Sequence, residues 1–398
     1  MVSWKDFSDR EHAYLKVIVV LGFIGLLPLT ARADDEARLY SPLPLHADAD
    51  LRVDQQTYDL FKAGLSGPLA ALDTDNLLAL AERPPVRQRE RSRDDVFQPK
   101  AAKSAVLWRD VSLKNELSMS QRSDSVYWSI ANDVSGQVGP NVLSELDYQN
   151  LRIRGVELSS SLAFEGGWLN DFYLSGQLFK GTINDGQTRD SDYKGSNRTQ
   201  EYSRSLSENT GDFVADYSVA LGRAMDSVAG LNTVLELGYS LHQQYLRKQN
   251  AIQVFDPSAS GGVKGLNSTY QSEWQGPWLG LGTTLSHQRH VLNIRTELHQ
   301  ALYYAEANWN LRDTFMHPKS FDHQADGRGL VIEASYAYTF KLPQAKDLTL
   351  ALSYRRDRWQ AENGLDTLYL VSGQTVTTRL NEVLWNADAV ALGIKFIH

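Results

Sequence analysis

The chain has 398 residues, with 48 acidic against 40 basic side chains, and its net charge of −8 leaves no basic footprint for nucleic acid. It contains no cysteine, which excludes a disulfide framework and thiolate chemistry. A hydrophobic share of 42% fits a soluble protein and equally a membrane barrel, in which half of every strand is polar.

Lys5, Arg10 and Lys16 stand ahead of an apolar run at 17–29, which Ala31-Arg32-Ala33 follows. The run is shorter than the roughly 20 residues of a spanning helix and has the layout of a secretion signal, so residues 1–33 read as a signal peptide cut after Ala33. Residues 34–105 have another character. Leu60, Phe61 and Leu65, then Leu77, Leu78 and Leu80, fall at helical spacing, and 84–103 is rich in Arg, Asp and Pro like a solvated linker. This part is expected to be a short periplasmic extension, partly helical or disordered, available to a periplasmic partner.

Residues 106–398 change to strict alternation, the mark of strands with two unlike faces. In the last string Val390, Leu392, Ile394 and Phe396 share one face, and Ala389, Ala391, Gly393 and Lys395 the other. Ten strands are predicted: 111–130, 144–164, 171–183, 212–225, 232–254, 270–287, 291–309, 329–340, one from Leu348 and one ending at His398. An even number of such strings, apolar outward and small or charged inward, is what a transmembrane barrel requires. The expected fold is therefore all-β, a ten-stranded antiparallel transmembrane β-barrel set in outer-membrane lipid. Short connections near 166–170, 226–231, 289 and 343–347 alternate with longer ones, including 184–211 and 310–328, and the long ones are expected outside the cell. Strands that outlast their apolar band, as at 355–360, predict a barrel that protrudes outward. Trp168, Trp274, Trp278 and Phe340 are expected near the two membrane interfaces.

Glu157, Asp216, Glu236, Arg295, Glu297, His299, Glu333 and Arg355 fall on inward positions. Ten strands make a narrow barrel, which these side chains would fill with ion pairs, so a wide diffusion pore is not expected.

Several local sequences resemble the omptins, outer-membrane aspartyl-type proteases of Gram-negative bacteria: Ser144-Glu145-Leu146-Asp147-Tyr148 with Gly155, Gly238-Tyr239, Pro277-Trp278-Leu279-Gly280-Leu281, and 364–368. The resemblance covers residues 108–398. It implies two facing pairs, Asp-x-Asp and Asp-x-His, that hold a water across an extracellular groove. Asp190 and Asp192 fall where the first pair belongs. The second pair's positions carry Trp309 and Leu311, which cannot take a proton, and His317 or His323, farther along the same loop, would have to serve as a displaced base. The family's lipopolysaccharide contacts correspond to Leu241 and Gln243, neither of them charged. No metal or cofactor is implied, lipopolysaccharide apart. Two functions follow. The favoured one is a binding or envelope barrel, adhesin-like, that acts through its outer loops on extracellular peptides or proteins. The other is an endopeptidase cutting near basic residues with Asp190, Asp192 and a displaced histidine.

Overall fold

The computed structural model describes residues 110–225, 231–255, 261–342 and 347–397. The expected signal peptide and its cleavage after Ala33, the extension at 34–105 and the terminal His398 lie outside the described residues.

Twelve antiparallel strands follow in chain order: β1 (Asp110–Ile130), β2 (Ser144–Glu165), β3 (Phe172–Gly195), β4 (Thr199–Glu208), β5 (Phe213–Ala224), β6 (Leu231–Phe255), β7 (Gly261–Gly262), β8 (Ser268–His287), β9 (His290–Asn308), β10 (Phe321–Phe340), β11 (Leu348–Tyr369) and β12 (Thr375–Ile397). β1 pairs with both β2 and β12, so the sheet closes on itself. The twelve strands fill ten positions around the ring. β3 and β6 are bridged by β5 along one half and by β4 along the other, and β7 is a short flap on β6. The barrel is thus the ten-position ring that the alternation predicts, and among the described residues closure pairs each of its wall strands on both sides, leaving an open edge at the short β7 flap.

The belt follows from the alternation. Leu117, Met119, Leu158, Leu237, Leu279, Leu298, Leu352 and Leu392 all point outward and are exposed, which is what a face turned to acyl chains requires. At the chain's own end of the ring the connections are short, as at 288–289; at the other end they are long, as at 131–143 and 309–320.

Three expectations need correction. The 184–211 stretch is not a long loop: β3 runs on to Gly195 and returns as β4, and β10 likewise starts at Phe321 rather than 329. Beyond the belt the outer face meets water, so no outward apolar residue is needed and the alternation fades, while strand pairing still satisfies the backbone. Trp274 and Trp278 do not sit at the interfaces; both are buried inside the ring, whereas Trp168 and Phe340 are exposed.

The lumen is filled in layers. Arg122 donates to Asp124 at 2.7 and 2.6 Å and to Asp216 at 2.5 Å, and Arg295 pairs with Glu236 at 2.6 Å and Glu297 at 2.9 Å. His242 joins Asp216 at 3.0 Å and His299 joins Glu297 at 2.9 Å. This is the ion-pair filling that the inward charges predict, and it meets the rule that buried charges need partners. Toward the long-loop end an indole layer follows, in which Trp359 stacks on Trp385 at 5.4 Å and Trp274 lies 5.7 Å from Trp359. Glycine makes room for it: a Cβ on Gly329 would stand 2.6 Å from the Trp359 ring, and one on Gly327 2.7 Å from Trp274.

Candidate functional site

Asp190 and Asp192 reach the lumen because both strands of the β2–β3 pair slip. Lower on β3 the exposed residues are even-numbered, Lys180 and Thr182, and Phe179, Gly181 and Ile183 are buried. The register then shifts, with Ile153 opposite Ile183 but Arg152 opposite Asp185, and again between Gln149 and Arg152, where Asn150 takes a φ of 54°. One extra residue exchanges the two faces of a strand. Above the shift Gly186 and Thr188 are buried, and Asp190 and Asp192 follow them inward.

There the two carboxylates meet a buried lysine. Lys248 of β6 forms an ion pair with Asp190, and its ammonium lies 5.1 Å from the centre of the Trp309 ring. Burial and the neighbouring Asp190 charge push the Asp192 carboxyl up to about 6, against the pull of a Ser144 hydrogen bond and of the Arg312 and Lys248 charges. A nearby pair of this kind can hold a proton close to neutral pH. Lys248 was not among the residues read from the sequence. Counting inward by twos from His242 through Gln244 and Leu246 would have found it.

The histidines lie elsewhere. His317 is exposed in the β9–β10 connection and bonds through Nδ1 to Asn308 Oδ1 at 2.7 Å. His323 is fully buried on β10, with Nδ1 2.9 Å from the Tyr270 hydroxyl and Nε2 3.3 Å from Asp366 Oδ1, the latter outside hydrogen-bond alignment. Tyr270 in turn bonds to Tyr303. Trp128 caps the group, with its ring 4.8 Å from His323 and 5.7 Å from Tyr270. The acidic pair therefore takes its charge partners from Lys248 and Arg312, and each histidine from its own surroundings. Of the two positions matched to the omptin base, Trp309 packs on Phe321 at 4.8 Å and under Lys248, and Leu311 is exposed.

Beside this group Glu145 ties three segments of the wall. It accepts from Arg198 at 2.7 Å, from Tyr193 at 2.7 Å and from Tyr127 at 2.9 Å. Burial raises its carboxyl, but these donors outweigh burial and hold it below the ordinary range.

At the long-loop end, well beyond the belt, apolar side chains face water. Val134 and Val138 stand in the β1–β2 loop, Val254 and Phe255 at the end of β6, Leu311 and Met316 in the β9–β10 loop, and Val371 between β11 and β12. Val138 and Val371 are 60% and 65% exposed, as open as the belt itself. Lipid cannot account for them at this end of the strands.

The family model described as Pom, Protochlamydia outer membrane protein, matches residues 116–397. Among solved structures the chain is similar to the outer membrane protease OmpT from Escherichia coli, with a TM-score of 0.57 at 10% identity over 72% of this chain and 97% of that one. It is more distantly similar to the translocator domain of the autotransporter NalP from Neisseria meningitidis, at a TM-score of 0.30, 11% identity and coverage of 71% and 88%. A Pseudomonas aeruginosa FadL homologue stands at 0.27 and 9%, with coverage of 71% and 90%. No curated protein matches the chain. The OmpT likeness speaks to the fold alone.

Proposed function

The chain belongs to the Pom family of outer membrane proteins, and from that premise we propose that this outer-membrane β-barrel works at the cell surface as a binding protein, adhesin-like, whose long-loop rim takes extracellular peptides or proteins. The observation that carries this reading is the set of exposed apolar side chains at the rim, Val138, Phe255, Met316 and Val371 among them. A surface that leaves such groups in water gains by covering them. The filled lumen points the same way, since indole and ion-pair layers leave the loops as the part that meets the outside. The test is to display the full chain on a bacterial surface and pan it against a random peptide library. Wild type should enrich peptides with large apolar side chains over cells lacking the barrel, and Val138→Ser/Phe255→Ser/Met316→Ser/Val371→Ser should lose that enrichment. Equal enrichment by cells without the barrel would remove the basis of the proposal.

A second reading, an endopeptidase using Asp190 and Asp192 with His317 or His323, is favoured by one observation, the raised Asp192 carboxyl beside Asp190. It requires cleavage of a peptide library rich in Arg and Lys by the refolded barrel with lipopolysaccharide present, and loss of that cleavage in Asp190→Ala/Asp192→Ala. No cleavage by wild type would leave the binding reading alone.

A further inference from the structure

On the short-turn side of the indole layer the lumen holds a cavity of about 540 Å³, part of it open solvent. Asp357 on β11 and Ala387 on β12 line it, and the next inward residues are Trp359 and Trp385, so the indoles close it toward the long-loop end. Toward the short turns the next inward positions are small: Ser118 on β1, Ser159 on β2, Ser175 on β3, Ala351 on β11 and Gly393 on β12. The cavity is thus reached from the short-turn end.

Its wall carries four carboxylates, Glu157, Asp216, Glu333 and Asp357, against two guanidiniums, Arg122 and Arg355. Both guanidiniums are taken: Arg122 by Asp124 and Asp216, and Arg355 by Asp357, to which it donates at 2.8 Å. Two glutamates are left over. Glu157 accepts through Oε1 alone, from Gln177 at 2.7 Å and Ser159 at 3.2 Å. Glu333 makes neither a hydrogen bond nor an ion pair among the described residues, although Arg295 and Arg355 stand opposite it on the two neighbouring strands. Ser120 is nine-tenths buried and lines the same cavity, and its Oγ has no hydrogen-bond partner. Ser118 is opposite Glu157 across β1 and β2, which puts Ser120 one inward step above that glutamate.

Carboxylates without a cation and a buried hydroxyl without a partner gain from a ligand that brings positive charge and N–H donors. β2 and β10 are four strands apart in the ring, so Glu157 and Glu333 come from facing walls. Midway between them β12 presents Ala387, Ala389 and Ala391 to the cavity, a smooth apolar strip.

We propose that this cavity binds an aliphatic diamine, with one primary ammonium on Glu157 and Ser120 Oγ, the other on Glu333, and the methylene chain laid over the three alanines. Two ammonium charges balance the excess of two carboxylates, and each brings three donors to acceptors that lack them. Among the described residues no three His, Cys, Asp or Glu side chains are placed to hold a metal ion, and the alanine strip suits methylene groups rather than a hydrated ion. The site lies across the indole layer from the rim and does not depend on what the rim binds.

The experiment titrates 1,4-diaminobutane into the refolded full chain in zwitterionic detergent micelles by isothermal calorimetry at fixed ionic strength. Two cations serve as comparisons: butylammonium, with one charge, and the hexamethylated diammonium of the same chain length, with no N–H. Wild type should bind the diamine at least about tenfold more tightly than either. Glu157→Gln and Glu333→Gln should each bring its affinity to within about twofold of that for butylammonium. Ala389→Leu keeps every charge, fills the middle of the cavity and should abolish binding. Glu165→Gln/Glu362→Gln, which removes two exposed carboxylates outside the cavity, should leave binding intact. Heat-modifiable gel mobility identifies folded barrels in every sample. Equal affinity of wild type for the three cations overturns the proposal, as does full affinity in either glutamate variant or in Ala389→Leu. Magnesium that displaces the diamine at equal concentration would assign the cavity to an inorganic cation and overturns it too.

Discussion

Asp192 and Lys248 give opposite predictions from one small cluster. The Asp192 carboxyl sits at about 6 in the folded barrel against 3.8 ordinarily. The folded protein therefore binds an extra proton between those values, so this contribution to stability is fullest below 3.8 and is lost as the pH rises through about 6. The displacement, which already includes the pull of the Lys248 and Arg312 charges, corresponds to at most roughly 3 kcal/mol against the charged form. Asp192→Asn should then raise stability by about 1–2 kcal/mol at pH 8 and change it little at pH 4. Lys248→Met acts the other way. It strips two inward carboxylates of a buried ammonium that also lies over the Trp309 ring, at a cost of about 2–4 kcal/mol that is largest at pH 8 and shrinks in acid. The assay is urea unfolding of the refolded barrel in vesicles, followed by tryptophan fluorescence at pH 4, 6 and 8. A wild type and an Asp192→Asn variant that lose stability in parallel from pH 4 to 8 would refute the reasoning, since the substitution should remove the slope.

The remaining predictions concern the lumen and the rim. Trp385→Ala removes the ring stacked on Trp359 and the indole donor to Asp124 at 3.0 Å, and should cost about 3–5 kcal/mol in the same unfolding assay. Arg122→Met leaves Asp124 and Asp216 facing each other without their guanidinium, and should cost about 3–5 kcal/mol or prevent refolding, as gel mobility would report. Gly329→Val drives a side chain into Trp359 and should cost about 1–3 kcal/mol, whereas Val138→Ser at the exposed rim should leave the unfolding midpoint unchanged. Single barrels in a planar bilayer should show no steady porin-like conductance, because the indole layer spans the lumen.

The part of the barrel that meets lipid was readable because lipid imposes the strongest pattern. Leu235, Leu237 and Tyr239 against Glu236 place β6, and Val390, Leu392 and Ile394 place β12, to within a residue or two. Where water lies on both sides of the wall that pattern vanishes. The polar run from Asn184 to Glu208 therefore reads as loop although it is a hairpin, and 321–328 hides the first part of β10. The candidate site suffers from the same loss. Asp190 and Asp192 were found through a family resemblance, yet their inward direction depends on two register shifts, at Asn150 and beside Asp185, that no simple alternation contains. Lys248 is within reach of counting, and so are Trp274 and Trp278: both share the parity of the inward glycines on β8, which outweighs the general preference of tryptophan for membrane interfaces.

The central claim is a barrel whose long-loop rim faces the outside of the cell, and the absence of cysteine makes it directly testable. Single cysteines are placed at Val138 and Val371 on the rim and at Trp168 and Leu342 at the short-turn end, all exposed, and intact cells are treated with a membrane-impermeant maleimide. The account predicts prompt labelling at Val138→Cys and Val371→Cys, and labelling at Trp168→Cys and Leu342→Cys only after the cells are broken. Labelling of the short-turn positions on intact cells, with the rim positions silent, would contradict it.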